Sequence, residues 1–214
     1  MSYNEACRYL YGKHFPTTHH INFISNDRVI KSFNIIEFEK VHVTFELVFG
    51  CVNQEYSHMI VNFTDTILSH QSKSASEIVR FSGPSITRYC KSYIEKNGPL
   101  AIGEVIMSSG GELHCHFILH SIFYEANKSL VSTDVLSLIF QKVMTLTDSE
   151  SCKSLSIPVA ELEQNLIIFL LNQIVQTLCA TLKTSDKIIV RLFCEDHSIL
   201  KNWEINLKRF IEQK

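Results

Sequence analysis

Three histidines and a cysteine lie close together at residues 114–120, and imidazole and thiolate groups are the usual ligands of zinc. In an extended strand, successive side chains point to opposite faces, so His114 and His116 share one face while Cys115 takes the other. A zinc site needs four ligands, usually with closely spaced pairs of cysteine or histidine. The spacing therefore does not favour a zinc site, and we expect the protein to use no metal and no other cofactor.

No short catalytic motif is present in the sequence. It contains no Gly-x-Ser-x-Gly element, no P-loop and no Rossmann fingerprint. The segment most like a phosphate loop, Ser108-Ser109-Gly110-Gly111, lacks the Lys-Ser/Thr pair of a P-loop and is typical of a turn between strands. The seven cysteines are odd in number and have no CxxC spacing, which indicates reduced thiols. We predict no catalytic residue.

The composition indicates one well-packed domain. A chain of 214 residues fits one domain, or one domain with an extension, and 45% hydrophobic residues suffice for a large core. With 20 basic and 22 acidic residues, the net charge of −2 does not favour binding to nucleic acid. The longest apolar run, residues 166–171, is far shorter than the roughly 20 residues of a membrane-spanning helix. We expect no membrane association and a cytoplasmic or nuclear location.

Hydrophobic periodicity predicts strands that alternate with helices. The predicted strands are residues 41–47, 59–61, 104–107, 117–122, 155–158 and 188–194, and the predicted helices are residues 84–97, 129–146, 166–182 and 197–211. Gly83-Pro84 and Asn97-Gly98-Pro99 supply the start and stop signals of the first helix. Such alternation favours an α/β fold with a sheet that is covered on both faces.

The first 34 residues are predicted to form an N-terminal extension, and residues 35–214 the main domain. Residues 1–18 are aromatic and basic, as in a short helix that packs on the domain or in a frayed tail. Ser25-Asn26-Asp27 is a turn signal between two β-like runs at residues 20–24 and 29–33. The extension is therefore expected to combine a short helix with hairpin-like strands.

The glycines and core residues at residues 98–120 resemble the macro domain, the family that binds ADP-ribose. The residues that carry this resemblance are Gly98, Gly103, Gly110-Gly111, Leu113-His114-Cys115, Ile118 and His120, preceded in the family's order by Phe49-Gly50-Cys51-Val52, Met59-Ile60-Val61-Asn62 and Gly83-Pro84. The pattern is most similar to the macro domains of multi-domain poly(ADP-ribose) polymerases. The resemblance implies a three-layer α/β/α fold with a mixed central sheet and a cleft for ADP-ribose.

Two of the family's ligand-binding features are altered near the first strands. The acidic residue that accepts from the adenine amino group is replaced by Cys51, beside Val52, and a thiol is a poor acceptor. The family's asparagine pair falls on Asn62 and Asp65. An aspartate can accept from ribose hydroxyls, but it adds negative charge close to a diphosphate.

The two diphosphate-binding loops also differ. The first glycine run of the family falls on Gln71-Ser72-Lys73, where side chains would make a positive φ costly and Lys73 offers only a point charge. The second loop, which begins at Val159, contains no glycine and carries Glu161 and Glu163 where donors are needed. The vestigial pocket is thus predicted to comprise Cys51, Val52, Asn62, Asp65, Ser72, Lys73, Val159, Glu161 and Glu163.

An intact framework with altered ligand loops predicts a non-enzymatic module in ADP-ribosylation-linked signalling. It would bind ADP-ribose or an ADP-ribosylated protein weakly or not at all, and would act as a scaffold for a protein partner. Alternatively, Asn62, Asp65 and Lys73 form a remodelled site for ADP-ribose or a related nucleotide. A hydrolase would need Asp65 or Glu161 to activate water. A nucleic-acid adaptor would use the basic C-terminal helix that contains Lys201 and Lys208.

Overall fold

The computed structural model describes residues 29–38, 41–52, 56–125, 132–150, 152–181 and 187–212. Within these ranges the chain forms seven strands and five α-helices. The strands are β1 (Val29–Phe38), β2 (Val41–Phe49), β3 (Ser57–Asp65), β4 (Val105–Ser109), β5 (Cys115–Tyr124), β6 (Ser154–Pro158) and β7 (Lys187–Cys194). The helices are α1 (Lys73–Phe81), α2 (Pro84–Asn97), α3 (Thr133–Ser149), α4 (Ile167–Thr181) and α5 (His197–Glu212), with a 3-10 turn at Gln164–Leu166 before α4.

The strands form one mixed sheet in the order β1-β2-β7-β6-β3-β5-β4. The five inner strands, from β2 to β5 in that order, are parallel, and the two edge strands pair antiparallel with their neighbours. The mixed sheet confirms the predicted fold class. Because the inner strands are parallel, the residues that follow them all emerge at the same edge of the sheet.

Helices cover both faces of the sheet, because the side chains of each inner strand alternate between two apolar environments. On β3, Val61 packs in the large cluster that α3, α4 and α5 build around Trp203. The preceding residue, Ile60, faces the other side of the sheet, where it packs in a smaller cluster with Ile78 of α1 and Ile86 of α2. The three-layer α/β/α arrangement is thus confirmed, and no described helix is long and apolar enough to cross a membrane.

Helix α2 has the ends that the sequence predicts. Gly83 precedes Pro84 at the first position of the helix, and Gly98 ends it with a left-handed φ of +78°. The notable omission from the sequence prediction is α1, a nine-residue helix with buried Ala75, Ile78 and Val79. Its length is below that at which periodicity alone identifies a helix.

The first described strand crosses the predicted boundary at residue 34. β1 begins at Val29 and pairs along its length with β2, from Val29 opposite Val48 to Phe38 opposite Val41. The segment 29–33, expected as a short β-like run of the extension, is therefore part of the main sheet. The predicted short helix and the run at residues 20–24 lie outside the described residues.

Candidate ligand cleft at the carboxyl ends of the parallel strands

A cleft of about 380 Å³ opens where β2, β6 and β7 end and α1 begins. Ligands of open α/β sheets bind in this position, outside the carboxyl ends of the strands. The polar and charged residues that line the cleft are Cys51, Lys73, Ser74, Glu77, Glu161, Glu195 and Asp196. Four of these are carboxylates and one is a lysine, so the cleft is acidic.

The lysine of the cleft is already paired with a carboxylate. Lys73 Nζ donates to Glu195 Oε2 across the mouth of the cleft, and Cys51 Sγ donates to Glu195 Oε1 at 2.6 Å. Contact with Glu195 raises the pKa of Lys73, while the bonds from Cys51 and then Lys73 lower the pKa of Glu195. The ion pair is exposed, with 71% and 43% of the two side chains accessible, so it contributes little to stability. Its effect is to neutralise the positive charge within the cleft.

The thiol of Cys51 remains protonated at neutral pH. Partial burial, followed by the hydrogen bond to Glu195 and the charge of Glu77, raises the pKa of Cys51 to about 12. A nucleophilic cysteine needs the opposite shift, because the thiolate is the reactive species. Cys51 is therefore a hydrogen-bond donor to carboxylates, not a nucleophile.

The N-terminus of α1 points at the cleft, but two of its backbone N–H groups are occupied by side chains. Ser74 N–H donates to Glu161 Oε1 at 3.0 Å, and Ala75 N–H donates to Ser72 Oγ at 3.2 Å. Free N–H groups in the first turn of a helix form a natural phosphate site, helped by the helix dipole. Here the carboxylate of Glu161 takes the place that an anionic ligand would use.

Residues 71–73 do not adopt the left-handed backbone that their side chains would make costly. Ser72 has an extended backbone with φ −67° and ψ 156°, and it caps α1 with its hydroxyl group. This segment begins a helix and does not form a loop that wraps a diphosphate. Left-handed backbone occurs instead at Leu68 and His70, both with φ +54°.

The N-terminus of α5, which also borders the cleft, is capped by its own acidic residue. Asp196 Oδ1 accepts from Ser198 N–H at 2.7 Å, from Ser198 Oγ at 2.6 Å and from Ile199 N–H at 3.3 Å. These bonds, the one from the Ser198 hydroxyl above all, lower the pKa of Asp196. The second helix terminus at the cleft is thus also satisfied from within the chain.

Asp65 lies below the surface. Its side chain is fully buried, and Oδ1 accepts from the N–H groups of Ile67 at 3.0 Å and Ser69 at 2.9 Å. The hydroxyl group of Ser69 bonds the other carboxylate oxygen. Asp65 therefore holds the turn after β3 in place.

Asn62 lies on the face of β3 that is covered by α1 and α2. Its Nδ2 contacts Nδ1 of His70 at 3.3 Å and Nδ1 of His120 at 3.2 Å, and the residue is fully buried. Strand alternation explains the position, because the neighbouring Val61 and Phe63 face the opposite core. Asn62 thus belongs to a buried polar cluster, which is separate from the cleft.

Of the nine residues that the sequence predicts for the pocket, four line the cleft: Cys51, Val52, Lys73 and Glu161. Ser72 serves as the cap of α1, Val159 is fully buried in the core, and Glu163 is exposed beside the 3-10 turn with no capping bond.

Sequence reasoning missed Glu77, Glu195 and Asp196. Glu195 and Asp196 directly follow the predicted strand at residues 188–194. Because ligands bind at the carboxyl ends of parallel strands, this position could have predicted both residues as part of the site. Glu77 lies on α1, one turn after Lys73, and could not be placed without that helix.

Comparison with known proteins identifies the fold. Residues 61–162 match the family model of the macro domain. The Oceanobacillus iheyensis macrodomain with MES bound has a TM-score of 0.71 at 20% identity, over 86% of this chain and 99% of that one. The same macrodomain with ADP has a TM-score of 0.70 at 22% identity, over 86% and 98% of the two chains.

Two relatives in sequence are named as uncharacterized proteins. One from Sulfolobus acidocaldarius is 26% identical over 109 residues, which is 51% of this chain and 59% of the relative. One from Saccharolobus solfataricus is 28% identical over 112 residues, 52% of this chain and 62% of the relative. The chain thus spans about three-fifths of the length of these relatives. Residues 61–162, just under half of the chain, thus match the macro-domain family model, and the chain shares its fold with the solved macrodomains.

Proposed function

We propose that this macro domain is a non-enzymatic module of ADP-ribosylation-linked signalling in which affinity for ADP-ribose is weakened or lost. The observation that supports this proposal is the hydrogen bond from Ser74 N–H to Glu161. A diphosphate at the N-terminus of α1 would have to displace this carboxylate. The Oceanobacillus iheyensis macrodomain was solved with ADP. We propose that the cleft of this chain differs in its affinity for such a ligand, which is weakened or lost.

The charge of the cleft acts in the same direction. Two unit charges about 4 Å apart interact by about 1 kcal/mol in bulk water and by about 4 kcal/mol near a protein surface. A diphosphate would meet Glu77 and Glu161 as like charges, while Lys73 is engaged by Glu195. Binding would therefore require either protonation of these carboxylates or their movement out of the cleft.

Three groups that could act as a general base are already engaged, which supports a non-enzymatic role. The Asp65 carboxylate accepts three hydrogen bonds from its own loop, and Glu161 is held by Ser74. The Cys51 thiol is protonated. None of these three groups presents a free, activated atom to a water molecule in the cleft.

If the cleft is closed to nucleotides, the remaining role for the module is contact with a protein partner. We also propose that the domain is most similar to the macro domains of multi-domain poly(ADP-ribose) polymerases, as the pattern at residues 98–120 favours. We further propose a cytoplasmic or nuclear location. The intact framework glycines fit a domain that keeps its shape for recognition.

Isothermal titration with ADP-ribose tests the loss of affinity. We expect no saturable binding in the low-micromolar range, and low-micromolar binding would overturn the proposal.

A second experiment tests for hydrolysis by incubating the protein with a mono-ADP-ribosylated substrate. We expect no release of ADP-ribose, and release that is abolished by Glu161→Gln would identify a hydrolase.

A second candidate function is a remodelled nucleotide site, favoured by the volume of the cleft and by the accessible Lys73. Here Lys73 would exchange Glu195 for a phosphate. Low-micromolar affinity for ADP-ribose that is lost in Lys73→Ala and kept in Lys91→Ala would establish this function. Lys91 is a suitable control because it is an exposed lysine of α2, away from the cleft.

A further inference from the structure

Beneath α2, on the side of the sheet away from the large core, lies a cluster of three potential metal ligands. His70, Cys90 and His120 come from the loop after β3, from α2 and from β5, and their exposed fractions are 8%, 3% and 0%. One nitrogen of each imidazole and Cys90 Sγ all lie within 4.8 Å of one another. The cleft uses none of these groups.

The distances are close to those of a metal centre. Zinc bonds of about 2.0–2.3 Å in a tetrahedron separate the ligand atoms by about 3.3–3.6 Å. His120 Nε2 is 3.9 Å from Cys90 Sγ, so this pair needs an adjustment of only several tenths of an ångström. We propose that His70, Cys90 and His120 form a Zn²⁺-binding site that is separate from the ligand cleft.

Unsatisfied polar atoms point to the same place. Among the described residues, Asn62 Oδ1 and His70 Nε2 are buried without a hydrogen-bond partner. Buried polar atoms without partners cost stability, so their occurrence calls for an explanation such as a bound ion. Asn62 Nδ2 contacts Nδ1 of both imidazoles and so fixes the two rings beside each other, and His120 Nε2 also lies 2.9 Å from Ser108 Oγ, a contact that a bound zinc ion would replace.

The ligands are in suitable protonation states or can reach them. Burial lowers the pKa of His70 to about 4 and that of His120 to about 3, so both imidazoles are neutral at neutral pH and each carries one N–H group and one lone pair. Burial raises the pKa of Cys90 to about 12, so its thiol carries a proton. Binding therefore replaces the S–H bond with an S–Zn bond and releases one proton to solvent.

A surface groove of about 720 Å³ reaches the cluster and is lined in part by His70 and Cys90. It gives a metal ion a route to the site and leaves room for a water molecule as a fourth ligand. The backbone that brings His70 to the end of this groove is strained, because Leu68 and His70 both have φ +54°. Strain of this kind concentrates at functional sites.

Cobalt titration of the metal-stripped full-length chain tests the site, because a thiolate ligand gives Co²⁺ a charge-transfer band in the near ultraviolet. We expect one Co²⁺ per chain with this band, displacement by Zn²⁺, and one proton released. The band should disappear in Cys90→Ser and persist in Cys115→Ser, a control thiol outside the cluster. A band that survives in Cys90→Ser, or no band in the wild-type protein, would overturn the proposal.

A second variant covers the case in which Cys90→Ser fails to fold. His70→Asn removes the imidazole while keeping a residue that tolerates a left-handed backbone. We expect its Zn²⁺ affinity, measured by competition with a chromogenic chelator, to fall at least tenfold while its circular dichroism spectrum is retained. Unchanged affinity in His70→Asn would contradict the site.

Discussion

The carboxylate of Glu161 accepts a hydrogen bond from Ser74 N–H at 3.0 Å, although the two residues are 87 positions apart in the chain. This bond ties the loop after β6 to the first turn of α1. The bond occupies a backbone N–H group at the N-terminus of α1, where an anionic ligand would otherwise bind.

Removal of Glu161 should therefore improve nucleotide binding. In Glu161→Ala, the Ser74 N–H becomes free and one carboxylate leaves the cleft, so we expect affinity for ADP-ribose to rise about tenfold, or ~1.4 kcal/mol. Isothermal titration measures the change. Glu163→Ala is the matched control, since Glu163 is exposed and does not line the cleft. Equal affinities in the two variants would show that Glu161 does not block the site.

A buried ion pair joins two central strands. Glu46 of β2 faces Arg191 of β7, with Arg191 Nε donating to Glu46 Oε2 at 2.8 Å and Nη1 donating to the Tyr56 carbonyl at 3.0 Å. Loss of one partner leaves an uncompensated charge, so Glu46→Gln should lower the free energy of unfolding by about 3–5 kcal/mol.

The matched comparison is the double variant Glu46→Leu/Arg191→Leu, which removes both charges together. Since an apolar replacement of a buried ion pair is often neutral or stabilising, we expect it to recover most of the stability. Urea denaturation followed by circular dichroism measures both variants. A double variant that is less stable than Glu46→Gln would mean that the pair is net stabilising.

The buried histidines predict a loss of stability in mild acid. The folded-state pKa is about 4 for His70 and about 3 for His120, while an unfolded histidine titrates near about 6.5. Below about pH 6.5 the unfolded chain therefore binds more protons than the folded chain, and the free energy of unfolding falls as the pH falls toward about 4. Each group contributes at most about 1.4 kcal/mol per pH unit.

Urea unfolding of metal-stripped protein across this pH range measures the slope. His114→Gln is the matched control variant, because His114 is an exposed histidine outside the buried cluster. A free energy of unfolding that stays constant between about pH 6.5 and about pH 4 would contradict neutral, buried imidazoles.

Two glycines with a left-handed backbone should differ in their tolerance of a side chain. A Cβ at Gly111 would lie 2.1 Å from the Ser82 carbonyl oxygen, whereas one at Gly98 would meet nothing within 4 Å. Both substitutions to alanine strain φ, but Gly111→Ala adds a backbone clash that we expect to cost about 1–3 kcal/mol more. Thermal unfolding measures the stability of both variants. Equal unfolding midpoints would contradict the close approach of Gly111 to Ser82.

Several features follow from local sequence. The alternation of Val41 to Leu47 and the apolar run at Ile188 to Cys194 predict strands, and the glycines around α2 predict both of its ends. These signals depend on neighbours in the chain, which is why they survive without tertiary information. α1 lacked such a signal because it is short and begins with Lys73-Ser74, polar residues that are equally common in loops.

Sequence by itself determined the layered α/β framework, because periodicity and glycine positions can be read along the chain, but of the four carboxylates in the cleft it indicated only Glu161. Tertiary structure decided which groups meet. Glu161 reaches Ser74, Lys73 reaches Glu195 and Cys90 approaches His120 only after strands distant in sequence become neighbours in one sheet. The physical reason is that secondary structure depends on nearby residues, whereas the partner of a polar side chain depends on how the chain crosses from strand to strand.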